Sequence, residues 1–457
     1  MFISVALSAF SIFGLVVTAL LSFALFGMPF TPVISTLSQL QNSLKRIYDP
    51  DYFELHQNYR APFYQMLQQS RNHEADGEGA FWPFYLATPQ NQGSPAEAGD
   101  LPPTKPRTEV QARVRPIQFT NSFEISFILA AVGTKRGSFS KTEIQRHMWE
   151  ATTDVTKHMN RVMAGSHGSG RLGQVNAGTA ASTSFVMKQP WGILLLRPNM
   201  LIDVYTLDVG GAISSAGAAT QIKIDSLVRA TNTVNMNTAL TLAANEHVYL
   251  YPDYNNTSNG LLGLVDDGTF LTTIHNQSRT SFEDLKATVL DNGGTLRPLT
   301  EELLIDGASQ VLQNSGQEVD CLLMNSGQMR QYLKFVIPQR RYNVTGKGVP
   351  AYNTGYREDD LQFLWGGKTC HIKRMEDILP RNVFGITTDK IRRFEVEKLD
   401  WYPQGNGILA QGVGATGYKT TQKATIYSVT NIGNLQPNAH FVIRDLLDPQ
   451  LSGDPAE

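Results

Sequence analysis

The chain holds two cysteines, Cys321 and Cys370, and nine histidines, the residue types from which metal or nucleophilic chemistry is most often built. Each cysteine lies in an apolar, strand-like run, Cys321-Leu322-Leu323-Met324 and Thr369-Cys370-His371-Ile372. Thiols in such runs behave as small buried hydrophobes. They form no CxxC or Cys/His spacing for zinc, and two of them make no disulfide framework. His147 and His158 fall on one expected helix but stand too far apart in sequence to share a metal. There is no HExxH and no GxSxG. Asp266-Asp267-Gly268 and Asp359-Asp360 pair carboxylates without a His or Cys companion, and adjacent acids in a turn read as solvated. The run Gly165-Ser166-His167-Gly168-Ser169-Gly170-Arg171-Leu172-Gly173-Gln174-Val175 is glycine-rich. It lacks the closing Gly-Lys-Ser/Thr of a P-loop and follows a helix rather than a strand, so it reads as a flexible connector. The sequons at Asn255, Asn276 and Asn343 matter only in a secreted eukaryotic protein. No catalytic, cofactor-binding or metal residue is assigned, and no cofactor is expected. The sequence argues against an enzyme.

The elements themselves point to assembly. Phe81-Trp82-Pro83-Phe84-Tyr85-Leu86 reads as a strand. Pro89 to Pro106 is turn-forming, with Gly93, Pro95, Gly99, Pro102 and Pro103. Val110, Ala112 and Val114 then alternate with Gln111, Arg113 and Arg115, the period of two of a half-exposed strand. Phe119, Phe123, Ile125 and Phe127 continue the alternation. A two-stranded arm of this kind has too little apolar surface for a core of its own. It is expected to lie on a neighbour.

A long helix follows. Ser140 and Glu143 form a capping box. Ile144, Met148, Ala151, Val155, Met159, Val162 and Met163 make one apolar stripe, and Gly165 supplies the stop. Lys141 to Ala164 would span roughly 36 Å.

Composition agrees with a structural protein. Charged residues are 18% against 41% hydrophobic, so the chain can bury a large core while keeping polar surfaces. A net charge of −2 gives no basic field for nucleic acid. The cluster Arg330, Lys334, Arg340, Arg341 and Lys347 is diluted by neutral residues and reads as a solvated face. Phe2 to Phe30 is nearly continuously apolar, and the first charged side chain is Lys45. Its length suits a membrane helix. Translation starting at Met28 explains it equally well, and a signal peptide less well, for want of a basic n-region and an A-x-A-like cleavage site.

Downstream, Ile202/Val204, Ile222/Ile224, Leu240/Leu242 and Val248/Leu250 mark four short strands of a small barrel or sandwich. Leu303, Leu304, Gly307, Ala308, Val311 and Leu312 form a helix face ended by Gly316. Val319–Met324 is a buried strand, and Ser326 opens a helix carrying Met329 and Leu333. Leu361, Phe363 and Trp365 alternate into a Gly366-Gly367 hairpin, Val383–Ile386 is a strand, and Ala424–Val429 and His440–Ile443 finish the sheet. The class is α+β.

The order of these pieces resembles the major capsid, or major head, proteins of tailed bacteriophages, with the Hong Kong 97-type fold, over roughly residues 40–447. Gly263-Leu264-Val265-Asp266-Asp267-Gly268 followed by Ser278-Arg279-Thr280 looks like the return from the β insert in one branch of that family. Residues 1–28 form a hydrophobic leader foreign to that family, and the resemblance implies an N-terminal arm at 29–77 and an extended E-loop hairpin at 78–127. A long spine helix and peripheral domain would follow at 128–199, a small inserted β-barrel-like module at 200–255 and the peripheral return at 256–317. An axial domain with closing strands at 318–447 and a loose tail at 448–457 would complete it. It further implies self-assembly into hexamers and pentamers of an icosahedral shell, with the E-loop over the adjacent subunit. Expected further partners are portal, scaffolding and decoration proteins and non-specifically contacted double-stranded DNA, with no small-molecule substrate. The location would be the virion, assembled in the host cytoplasm. Some relatives crosslink through an isopeptide bond, for which Lys105 is the only lysine suitably placed. The alternatives are a membrane-anchored or exported β-rich surface protein, resting on residues 1–27, and a cellular encapsulin-like shell.

Overall fold

The structure, a computed structural model, describes residues 62–69, 73–74, 78–87, 91–100, 106–128, 140–165, 170–188, 192–207, 212–214, 219–336, 362–365, 367–403, 408–414 and 417–448. The apolar N-terminal run, Lys105, Gly168, Arg340, Arg341, Lys347, Asp359-Asp360 and the tail after Asp448 lie outside these residues. Among the described residues, no helix is long and apolar enough to cross a membrane.

In chain order, helix α1 (Pro62–Gln69) and strand β1 (His73–Glu74) precede the arm strands β2 (Ala80–Ala87) and β3 (Thr108–Val114). Strand β4 (Ile117–Ser126) and helix α2 (Ser140–Gly165) follow. Next come β5 (Arg171–Gln174), β6 (Thr179–Val186), β7 (Leu201–Tyr205), β8 (Ile222–Val228), β9 (Thr233–Leu242) and β10 (His247–Leu250). A single turn α3 (Leu261–Leu264) leads to the small hairpin β11 (Thr273–Ile274) and β12 (Gln277–Ser278), then β13 (Thr288–Leu290). The rest is α4 (Glu301–Ser315), β14 (Cys321–Met324), α5 (Ser326–Val336), β15 (Gln362–Trp365), β16 (Lys368–Arg374), β17 (Val383–Ile386), β18 (Ile391–Trp401), β19 (Ala410–Gly414), β20 (Gly417–Asn434) and β21 (Phe441–Ile443).

Three larger sheets organise the chain. The central mixed sheet runs β13-β21-β17-β14-β16-β15. Its strand β14 is buried at every residue, as expected of a continuous apolar run. Helix α4 covers it through Leu304, Ala308 and Val311, while Leu312, expected on the same face, is exposed. Thr300 caps α4 by accepting from the Leu303 amide, and Gly316 ends it at φ 66°. Trp365 of β15 stands opposite Lys368 of β16, while Gly366 lies outside the described residues.

The second sheet runs β1-β18-β20-β19, with β4 along the far side of β20. Helix α2 buries Ala151, Val155, Met159, Val162 and Met163 in one core with Phe119 of β4 and Phe63 and Leu67 of α1. That is the expected stripe, with Met148 half-buried at its edge and the Ile144 side chain outside the described residues. Ala424–Val429 and Phe441–Ile443 do not finish one sheet: the first lies in β20 and the second in the central sheet.

The third sheet runs β5-β10-β7-β8-β9-β6. Past the ends of β5 and β6, a Val175–Met187 bridge closes the ring. The Asn176 amide donates to Val186 O (2.8 Å) and the Lys188 amide to Gln174 O (2.7 Å). The result is a small six-stranded barrel filled by Phe185, Met187, Ile202, Ile222, Val234 and Leu240. All four strands read from the sequence are present. Two more come from before residue 200, and Arg171–Gln174 of the supposed flexible connector is one of them.

Candidate functional site

Strands β2 and β3 form the expected antiparallel arm, with Phe81 opposite Arg113, Trp82 opposite Ala112 and Phe84 opposite Val110. Alternation separates two faces. The inner face carries Ala80, Trp82, Phe84, Ala112 and Val114 and lies on the chain's own body. Trp82 stacks on Phe394 of β18, with centroids 5.1 Å apart and planes within 1°. This corrects the expectation that the whole arm lies on a neighbour: its root is held in cis. A glycine permits the fit, because a Cβ on Gly433 would stand 2.5 Å from Phe394 Cε2 and 2.9 Å from Trp82 Cη2. The alternation through Phe119, Phe123 and Ile125 belongs not to the arm but to β4, which pairs with β20 along its whole length.

The outer face stays open. Phe81 and Tyr85 are 40% and 61% exposed, with Arg113 over the Phe81 ring and Arg107 over Tyr85. Every residue from 91 to 100 is exposed. A groove of about 770 Å³ runs between β2 and the body, lined by Pro83, Tyr85, Leu86, Lys390, Arg392 and Gln436 among others. Pro83 on this free strand edge has no N–H to offer another strand, a feature of managed edges.

The small hairpin β11–β12 seats the arm. Its turn residues His275 and Asn276 both take left-handed backbone (φ 49° and 66°), as a tight two-residue hairpin requires. The Arg113 amide donates to His275 O (3.0 Å), and Gln277 Nε2 donates to Gln111 O (2.7 Å). The His275 ring packs edge-on to Trp82 at 4.9 Å, and the Asn434 amide donates to its Nε2 at 2.9 Å.

Beneath this hairpin the structure overturns the solvated reading of Asp266. Its carboxylate is fully buried. Oδ2 accepts from the amides of Gly268, Phe270 and Leu271, each at 3.0 Å, and from Arg279 Nη1 at 3.4 Å. Oδ1 accepts from Arg444 Nη2 at 2.7 Å. Arg279, equally buried, donates further to the carbonyls of Gly263, Leu264, Leu271 and Leu285. Burial lowers its pKa to about 10, opposed by Asp266 and Asp267, so it stays charged at neutral pH. These contacts tie residues 263–285 to Arg444, so the cluster acts as an internal staple.

The other chemistry-capable residues are similarly occupied. Cys321 and Cys370 are buried and free, and burial raises their thiols to about 12 and about 11, which makes them poor nucleophiles. His147 lies beside Glu150 at 3.4 Å. His158 Nδ1 faces Arg161 Nη2 at 2.7 Å, and burial with the Arg161 charge holds its pKa near 3. Its 3.5 Å contact with Asp253 is therefore one between a neutral ring and a carboxylate. Among the described residues, no three metal-capable side chains converge.

No family model matches the chain. No curated protein matches it either. Solved structures do. A chain of the cyanophage A-1(L) capsid asymmetric unit superposes with a TM-score of 0.52 at 11% identity, covering 90% of this chain and 99% of that one. A chain from Gordonia phage Cozz gives 0.44 at 11% identity, covering 92% and 97%. A chain from the capsid of the native GTA particle gives 0.44 at 8%, covering 87% and 95%. The first of these shows the fold: this chain has the mixed α/β architecture of a chain in a phage capsid, over nearly its whole length.

Proposed function

We propose that the chain is the major capsid subunit of a tailed phage, with the Hong Kong 97-type version of this fold. The observation that carries the reading is coverage: 99% of a capsid-unit chain aligns with 90% of this one at a TM-score of 0.52. The arm supports it physically. Its inner face is spent on its own body, while among the described residues Phe81, Tyr85 and residues 91–100 stay exposed. Many copies making polar, wet contacts through such surfaces suit a shell better than one large apolar patch.

In this reading residues 29–77 are the N-terminal arm and 78–127 the E-loop, of which β2–β3 is the hairpin. Helix α2 is the spine, the barrel is the inserted module with its core at 200–255, and residues 318–447 supply the axial domain and closing strands. The partners are further copies in hexamers and pentamers, portal and scaffolding proteins, and DNA held non-specifically. Assembly takes place in the host cytoplasm and the subunit ends in the virion. It performs no catalysis.

The test is to replace residues 88–107 with an Asn-Gly turn joining Ala87 to Thr108, which already face each other. The shortened subunit is expected to keep its melting temperature and sediment as a small species, while the full chain forms large particles. A shortened chain that still forms closed shells, or that no longer folds, contradicts the role given to the arm.

A further inference from the structure

His275 is an imidazole placed between the arm and the body, and its geometry admits a single protonation state. The Asn434 amide fills Nε2 as acceptor, so the ring proton sits on Nδ1. A second proton on Nε2 would set N–H against N–H. The ring is buried against Trp82 and Phe84, centroids 4.9 and 6.4 Å away, so a charged imidazolium would find no water. The charged groups around it are all cations. Arg279 comes from its own segment, with its guanidinium turned to Asp266, and Arg113 and Arg115 of the arm line the same small recess. Trp82 and Phe84 of β2 and Asn434 of β20 bring no charge, His440 meets the far side of Asn434 as a buried neutral ring, and among the described residues no carboxylate faces the ring to favour protonation.

We propose that His275 is an acid-sensitive latch: with the ring neutral the arm root stays seated on the body, and protonation releases β2 and β3 while the barrel remains closed. Burial, reinforced by Arg279, holds the seated ring near a pKa of 3 against 6.5 when free. Released, the ring takes up a proton near its ordinary value. The seated form is therefore fully favoured above pH 6.5 and loses ground as the pH falls from 6.5 toward 3. At pH 5 the shift corresponds to an arm-opening constant about thirtyfold above its value at pH 7.5. The inference concerns the arm and its seat only, and holds whatever the outer face docks on.

Amide hydrogen exchange on the full chain reads this directly. Exchange in 80–87 and 108–114, corrected for the intrinsic pH effect, is compared with β8 and β9 of the barrel, which contain no histidine. About thirtyfold faster opening of the arm at pH 5 than at pH 7.5, with the barrel unchanged, is expected. In His275→Gln the amide oxygen can accept from Asn434 without titrating, so the arm should stay protected at both pH values. A wild-type arm whose opening is independent of pH overturns the proposal, as does a His275→Gln arm as acid-sensitive as wild type. Exchange of the imidazole C2 hydrogen in the wild-type chain gives an answer even if the variant does not fold. A His275 pKa below 5 supports the latch, and one within a unit of 6.5 overturns it.

Discussion

The barrel and the arm are both β-structure inserted into the same body, yet they solve the edge problem in opposite ways. The barrel joins its first strand to its last through the Val175–Met187 bridge and fills its interior with its own side chains. Its strands find partners on both sides, although Val186, Leu201 and Val228 stay exposed on its outside. The arm has two strands, one of whose edges is held by the β11–β12 hairpin, and one covered face, and that cover is borrowed from Phe394, His275 and Gly433. A closed element is stable in isolation and available for variation. An open one is stable only at its root and is left to seek cover elsewhere. The difference assigns stability to the barrel and interaction to the arm.

Two substitutions with the largest expected cost separate the regions. Arg279→Met removes one of the two cations on buried Asp266 and leaves the carbonyls of Gly263, Leu264, Leu271 and Leu285 without their side-chain donor under the arm's seat, and is expected to lower stability by about 3–5 kcal/mol. Chemical denaturation measures this, and hydrogen exchange should place the first loosening in 263–285. Phe185→Ala empties the barrel interior at a similar cost of about 3–5 kcal/mol. Its effect on exchange should be confined to β5–β10, with the arm unmoved; an equal loss of arm protection would mean the two regions are not independent. Gly433→Ala drives a methyl into Phe394 and Trp82 and is expected to cost about 1–3 kcal/mol, displacing the arm root. Trp fluorescence and the arm's exchange rates read that displacement. Tyr85→Ser on the outer face is expected to change stability by less than about 0.5 kcal/mol. Any effect should appear only in the amount of large assembly seen by sedimentation, so a marked drop in melting temperature would refute the division of faces.

The sequence marked what local pattern controls. The arm strands, the α2 stripe, four barrel strands and the helix face ended by Gly316 are legible because their periods and stop signals are written in adjacent residues. Strand β18 was missed because its alternation is broken by Arg393 and Glu395, which are buried as an ion pair rather than exposed. The outer half of β20, Lys419-Thr420-Thr421-Gln422-Lys423, is polar throughout and reads as loop, although β4 and β19 flank it. Strand β5 offers one strong hydrophobe, Leu172, and depends on pairing with β10 far along the chain. Asp266 looked solvated because Arg444 lies 178 residues away. His275 carried no sequence signal beyond the Asn that follows it in a tight turn. What eluded the sequence is long-range pairing of polar groups, and that is what builds the arm's seat.

Negative-stain electron microscopy of the purified full-length protein tests the central claim most directly. Uniform hollow shells or ring-shaped capsomers are the result this account predicts. A stable monomer at every concentration, with no ring or shell, would contradict it.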